Sequence, residues 1–180
     1  KGLLLSSISD ESNSKVVVIG CGEVGRASID KSIQIGASVA AIDLNEEILT
    51  ELKNKYQDKI TTIIGGSEQA KNEIRSADLV IGAVLLPGRK PPIVITEEDI
   101  NQMEKGTVII DVAIDQGGCV ENVKPNTHSE PFEIRNGVII SAIANLPGAV
   151  PKTSSIELST ILQNYIDDLL NEDWFEKYKS

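Results

Sequence analysis

The 180-residue sequence has only two cysteines, one histidine, few aromatics and no apolar run longer than a strand. Each scarcity removes a class of protein. Cys21 and Cys119 lie far apart in sequences that form neither a CxxC nor a metal-ligand spacing, so a disulfide scaffold and a cysteine-based metal centre are excluded, and each reads as a small buried thiol. The longest apolar runs are cut by Gly, Pro or Asp, so no segment is expected to span a bilayer. The stretch KGLLLSSISDESNSK lacks the apolar core of a signal peptide. Basic clusters are also missing. With a net charge of −10 and a pI near 4.6, nucleic acid and anionic membrane are not expected as partners, because binding phosphates on that scale takes clustered Lys and Arg. A cytoplasmic setting is the resulting expectation. No internal repeat or low-complexity tract stands out beyond an alternation of strands and helices.

What is present is a soluble globular composition, 41% hydrophobic and 24% charged, in a length that suits one well-cored domain. Its most informative stretch is Lys15 to Asp43, KVVVIGCGEVGRASIDKSIQIGASVAAID. An apolar strand runs into Gly20, Gly22 and Gly25, a helix follows, and a second β-branched strand ends on Asp43. Each feature has a purpose in binding a dinucleotide. Gly20 permits a tight turn, Gly22 lets the backbone approach a pyrophosphate, and Gly25 lets the helix pack closely on the strand. The phosphates then meet free N–H groups and the positive dipole end of a helix, with Glu23 and Val24 in the same turn. Asp43, followed by Leu44, is placed to accept hydrogen bonds from ribose hydroxyls and to repel a 2′-phosphate. No Arg or Lys follows it in DLNEE, so NAD is preferred over NADP.

The rest of the chain repeats the pattern. Lys1 to Ser14 reads as an approach segment and joint. Helices are expected over Glu23 to Ile35, ended by Gly36; over Glu46 to Tyr56, capped by Asn45; from the cap Ser67 to Arg75; and over Glu97 to Met103. Strands are expected over Val16 to Ile19, Val39 to Ile42, Lys59 to Ile64, Leu79 to Ala83, Thr107 to Val112 and Val138 to Ala142, with Val123 to Arg135 irregular. Strands and helices alternating at these lengths predict an α/β fold, a Rossmann-type doubly wound parallel sheet in three layers. The loops LLPGRKPP, AIDQGGC and ANLPGAVPKTSS then fall at the carboxyl edge of the strands, where such sheets bind ligands. Arg89, Lys90 and Lys152 lie on that edge and read as solvated loop charges. Asp115, before Gly117 and Gly118, looks buried and has two readings: a brace for its loop, or a functional acid. A final helix, capped by Ser154 or Ser155 and running to Leu170, carries a broad apolar face. The tail adds Trp174, Phe175 and Tyr178.

The motifs VVVIGCGEVG, ADLVIGAVLLPGRKPP, VIIDVAIDQGGCVE, PNTHSEPF and AIANLPGAVPKTS occur in the order and combination of one family, which the sequence resembles from Val16 to Ser155. That family comprises alanine dehydrogenase and the NAD(H)-binding part of proton-translocating transhydrogenase, and IDQGGC followed by THSEPF looks more like the former. The resemblance implies an oxidoreductase with NAD as cofactor, which passes a hydride between L-alanine and the nicotinamide C4 to give pyruvate and ammonia, reversibly. It implies that Gly20, Gly22 and Gly25 hold the pyrophosphate and Asp43 the adenosine ribose. Val84 and Leu85 would line the nucleotide, Ile114 and Asp115 would reach the nicotinamide and substrate, and Asn145 and Leu146 would flank the nicotinamide ribose and ring. Leu146 stands where Met is usual in the family, a swap that conserves volume.

In that family a separate substrate domain supplies a Lys, a His and an Arg to grip and protonate the substrate. No matching segment occurs here, and His128, the only histidine, reads as a loop residue. The expected organisation is therefore a joint over 1–14, an NAD-binding domain over 15–152, and a helix and tail over 153–180 leading to an absent substrate domain. Asp115 would be the catalytic residue, its carboxylate orienting the amino group or a water, and no metal is expected. The chain alone would be inactive, and the full enzyme would be a homo-oligomer. A nucleotide-binding module of a transhydrogenase-like assembly, and a dehydrogenase of the saccharopine or 2-hydroxyacid type, are the competing readings.

Overall fold

Val16, Val17, Val18 and Ile19 are all buried, so the strand they form must be covered on both faces. The computed structural model, which describes residues 1–6 and 13–170, shows how. Strand β1 (Lys15–Ile19) is followed by α1 (Glu23–Gln34), β2 (Ser38–Asp43), α2 (Glu46–Tyr56), β3 (Ile60–Ile64), α3 (Glu68–Arg75), β4 (Leu79–Gly82), α4 (Glu97–Gln102), β5 (Val108–Asp111), β6 (Glu133–Arg135), β7 (Val138–Ser141) and α5 (Pro151–Leu169). The sheet has the order β3-β2-β1-β4-β5-β7-β6. All neighbours pair in parallel except β6, which runs antiparallel to β7. The doubly wound α/β sheet is as expected. β1 sits between β2 and β4, so the strand order reverses beside it, and a crevice opens at the carboxyl ends of β1 and β4.

Alternate residues feed two cores. Val17, Ile19, Ala40, Ile42 and Val80 pack with Ala70 and Ile74 of α3 and Ile100 of α4. Val16, Val18, Val39 and Ala41 pack with Ile29 of α1 and with Leu49 and Leu52 of α2. The three layers follow directly. The helices start and stop where their sequences dictate. The Asn45 side chain accepts from the N–H of Glu47 at 2.9 Å, and Ser67 accepts from Ala70 at 3.1 Å. Gly36, at φ +85°, ends α1 in the left-handed conformation that favours glycine.

Most element bounds fall within a residue of expectation, and the following need correction. The segment Val123 to Arg135 is not wholly irregular, because Glu133–Arg135 forms the edge strand β6. Arg135 holds it there, donating to Glu133, to Glu97 at 2.7 Å and to the carbonyls of Glu121 at 2.7 Å and Asn122 at 3.0 Å. The fifth strand ends at Asp111, not Val112, since Val112–Gln116 winds into a 3-10 turn. The last helix begins at Pro151 rather than after Ser154, the residue at a first turn best able to do without its N–H.

The chain divides into two compact units, Lys1–Ala144 and Asn145–Ser180. In the second, a 3-10 turn (Leu146–Ala149) leads into α5, whose Ile156, Leu158, Ile161, Leu162, Tyr165, Ile166 and Leu169 are exposed. Residues 7–12 of the approach segment, and Trp174, Phe175 and Tyr178 of the tail, lie outside the described residues. Among the described residues no helix is long and apolar enough to cross a membrane.

Candidate dinucleotide site

At the crevice the chain turns sharply out of β1. Gly20 sits at φ +89°, and a Cβ there would lie 2.6 Å from the carbonyl oxygen of Ala83, the residue after β4. Gly25 is more constrained. A Cβ on it would fall 1.9 Å from the Gly20 carbonyl oxygen, so glycine alone lets α1 pack this close to the turn. Gly22 is different: a Cβ there would meet nothing within 4 Å. It is the N-cap of α1, and no side chain caps that helix among the described residues. Half-buried Gly20 and buried Gly25 thus serve the turn and its packing, while exposed Gly22 leaves backbone N–H groups at a helix N-terminus to an outside partner. That arrangement fits a pyrophosphate.

Asp43 ends β2 beside this turn, half-buried. One carboxylate oxygen accepts from the backbone N–H of Cys21 at 2.6 Å and the other from Asn45 at 2.9 Å. Arg26 supports the same turn, donating from Nε to the Cys21 carbonyl at 3.2 Å and from Nη2 to Glu51 at 2.7 Å. Cys21 is fully buried beneath it. Burial, reinforced by the Asp43 carboxylate, pushes its thiol up to about 12, which makes it a packing group and not a nucleophile.

Around this turn the apolar candidates are open to solvent, with Leu44 78% and Leu85 63% exposed, Val24 also exposed and Val84 half-buried. Such side chains on a crevice rim supply the apolar lining that a flat ring needs. Glu23 opens the first turn of α1 and is exposed.

The loop after β5 brings Ile114 and Asp115 to the same sheet edge. Ile114 is buried and Asp115 is exposed, so the sequence expectation of a buried acid there is wrong. The buried acid is Asp111, four residues earlier at the end of the strand, with no exposure at all. It accepts from the backbone N–H groups of Ala113 at 3.0 Å, Cys119 at 2.8 Å and Val120 at 3.0 Å. Sequence reasoning missed it. The available signal was an acid closing an apolar strand just ahead of a paired-glycine loop. Burial and the adjoining Asp111 carboxylate also raise the Cys119 thiol far above its ordinary range.

Asn145 and Leu146 belong to the second unit. Asn145 adopts φ +53°, a left-handed conformation that Asn tolerates better than most residues, and Leu146 opens the following 3-10 turn. His128 is exposed in the loop before β6.

The sheet order, the crevice at β1 and β4 and the glycine turn together define a Rossmann-type dinucleotide-binding fold. The chain belongs to the family described as alanine dehydrogenase/PNT, C-terminal domain, whose model matches residues 1–180. It is 42% identical over 173 residues to the alanine dehydrogenase of Bacillus subtilis, covering 96% of this chain and 46% of that protein. To the alanine dehydrogenase of Staphylococcus haemolyticus it is 39% identical over 180 residues, covering 99% and 48%. A solved L-alanine dehydrogenase superposes with a TM-score of 0.83 at 37% identity, over 91% of this chain and 46% of that one. A transhydrogenase from Sinorhizobium meliloti superposes with a TM-score of 0.76 at 23% identity, a likeness of fold alone. The chain spans about half the length of the curated relatives it matches.

Proposed function

We propose that this chain is the NAD(H)-binding domain of an alanine dehydrogenase, which oxidises L-alanine to pyruvate and ammonia and runs the reverse amination. The observation that carries the proposal is the meeting, at one sheet edge, of the uncapped α1 N-terminus at Gly22, the Asp43 carboxylate and the loop held by Asp111. NAD, when bound, supplies the hydride acceptor.

The chain's own residues bind and orient it. Gly20, Gly22 and Gly25, with Glu23 and Val24, shape the pyrophosphate seat. Asp43 and Leu44 take the adenosine ribose, and its spare lone pairs accept ribose hydroxyls while the charge disfavours a 2′-phosphate. Val84 and Leu85 line the nucleotide. Ile114 and Asp115 serve the nicotinamide half. Asp115, being exposed, orients the substrate amino group or a water at the reacting carbon.

A cation for the substrate carboxylate and a general acid or base are still required. In this reading they come from a substrate-binding domain of the same protein, the assembly is a homo-oligomer, and the exposed apolar face of α5 supports such packing. The family description also names PNT, so a transhydrogenase-type module is the second reading.

The two separate by experiment. The chain is joined to the amino-terminal half of the Bacillus subtilis relative, and NADH formation is followed spectrophotometrically. L-alanine-dependent NADH formation by the joined protein, with none from the chain alone, is the expected result. A well-folded joined protein that binds NADH but leaves L-alanine untouched contradicts the alanine dehydrogenase reading.

A further inference from the structure

Asp111 is fully buried and touches both ends of the loop it holds. Its Oδ1 accepts from Ala113, at the start of the 3-10 turn, while its Oδ2 accepts from Cys119 and Val120, where the loop returns. Ile114 and Asp115 ride on the backbone between those anchors. The loop is tied to the sheet at a second place. The Cys119 thiol lies 3.4 Å from Asp111 Oδ1 and packs on Gly82 of β4, where a Cβ would come within 2.4 Å of the sulfur. Gly118 is held at φ +76° with Asp111 Oδ2 on one side and Val123 on the other; a Cβ there would lie 2.9 Å and 2.4 Å from them. The carboxylate is therefore the hub about which Val112 to Val120 closes. A neutral amide cannot replace it, since its NH2 would point a donor at donors.

The geometry points to Asp111 as a positioning residue for the nicotinamide half of the cofactor. It acts through the loop that carries Ile114 and Asp115, and leaves the adenosine half to Gly22 and Asp43. This rests on the cofactor reading given above. It goes further by splitting the site into two separately held parts, one pinned by Asp43 and the other by Asp111.

The test compares NADH with ADP-ribose, which lacks the nicotinamide. Both are titrated into the full chain and into Asp111→Asn by calorimetry, with nicotinamide fluorescence followed for NADH and folding checked by circular dichroism and Tm. For Asp111→Asn the expected result is an NADH affinity lowered about tenfold, the equivalent of one hydrogen bond, with loss of the fluorescence enhancement and ADP-ribose affinity unchanged within about twofold. Gly118→Ala, which pushes a methyl toward Asp111 without removing it, gives the same split and carries the test if Asp111→Asn does not fold. Equal losses for the two ligands, or an unchanged NADH affinity and enhancement, overturn the positioning role. Failure of the unaltered chain to bind either ligand overturns the cofactor reading itself.

Discussion

The carboxylate of Asp43 accepts a 2.6 Å hydrogen bond from the backbone N–H of Cys21. An acid at the end of β2 thereby fixes the glycine turn at the end of β1, and the same side chain is proposed to meet the ribose. Holding the turn and choosing the cofactor are coupled in one residue, so its removal affects more than a single ligand contact.

Asp43→Ala is accordingly expected to lower NADH affinity by about 10- to 100-fold, because hydrogen bonds to a charged group are lost both to the turn and to the ribose. NADPH affinity falls less, since the repulsion of its 2′-phosphate goes with the charge. The ratio shifts toward NADP without NADPH binding well in absolute terms. Calorimetric titration with both nucleotides checks this, and an unchanged ratio counts against the role given to Asp43.

Gly22 and Gly25 separate binding from packing. Gly25→Ala places a methyl 1.9 Å from the Gly20 carbonyl oxygen and is expected to destabilise the fold by about 1–3 kcal/mol or more, read as a lower denaturation midpoint. Gly22→Ala meets nothing within 4 Å in the protein, so stability stays within about 0.5 kcal/mol. Its methyl occupies the proposed pyrophosphate seat, and NADH affinity is expected to fall about tenfold or further.

Both thiols are buried, and Cys21 is pushed from 9.0 up to about 12. The folded protein then keeps the Cys21 proton that the unfolded chain releases above about pH 9. The stabilisation is complete below the unfolded value and is lost progressively between about pH 9 and 12. Cys21→Ala is expected to show a shallower decline of stability across that window. A thiol reagent at pH 8 should label neither cysteine until denaturant is added, and rapid labelling of the native chain contradicts this account.

Asp99 tests the other end of the pH scale. Burial opposes its charge, but the Thr96 hydroxyl and N–H and the Arg75 guanidinium outweigh burial and hold the carboxyl below 3.8. A depressed value stabilises the fold above the unfolded value and is lost as pH falls through the folded one. Asp99→Ala removes the reciprocal cap of α4 and the 2.9 Å pair with Arg75, at an expected loss of about 2 kcal/mol near pH 7. In chemical denaturation the gap between the variant and the unaltered chain should narrow below about pH 4.

Much of this was legible in the sequence because the sheet is buried on both faces. Val16 to Ile19, Val39 to Ile42 and Leu79 to Ile81 had to be apolar without interruption, and Asn45, Ser67 and Gly36 mark helix ends by local chemistry. The glycine turn could be read because backbone geometry allows no other residue at Gly20 and Gly25. Strand β6 could not, since three residues at an edge owe their conformation to the remote partners of Arg135. Nor could the difference between Asp111 and Asp115. Both are acids beside a strand end, and only the closure of the loop through Cys119 and Val120 decides which is buried. Asn145 follows the same rule: its identity hints at a turn, but its left-handed conformation depends on the geometry of the turn it opens.

The central claim is that the edge organised by Gly22 and Asp43 holds NAD(H) in this chain. Calorimetric titration of the unaltered chain with NADH and with NADPH tests it most directly. The account predicts saturable one-to-one binding of NADH and binding of NADPH weaker by about tenfold or more. No saturable heat with NADH, or tighter binding of NADPH, would contradict it.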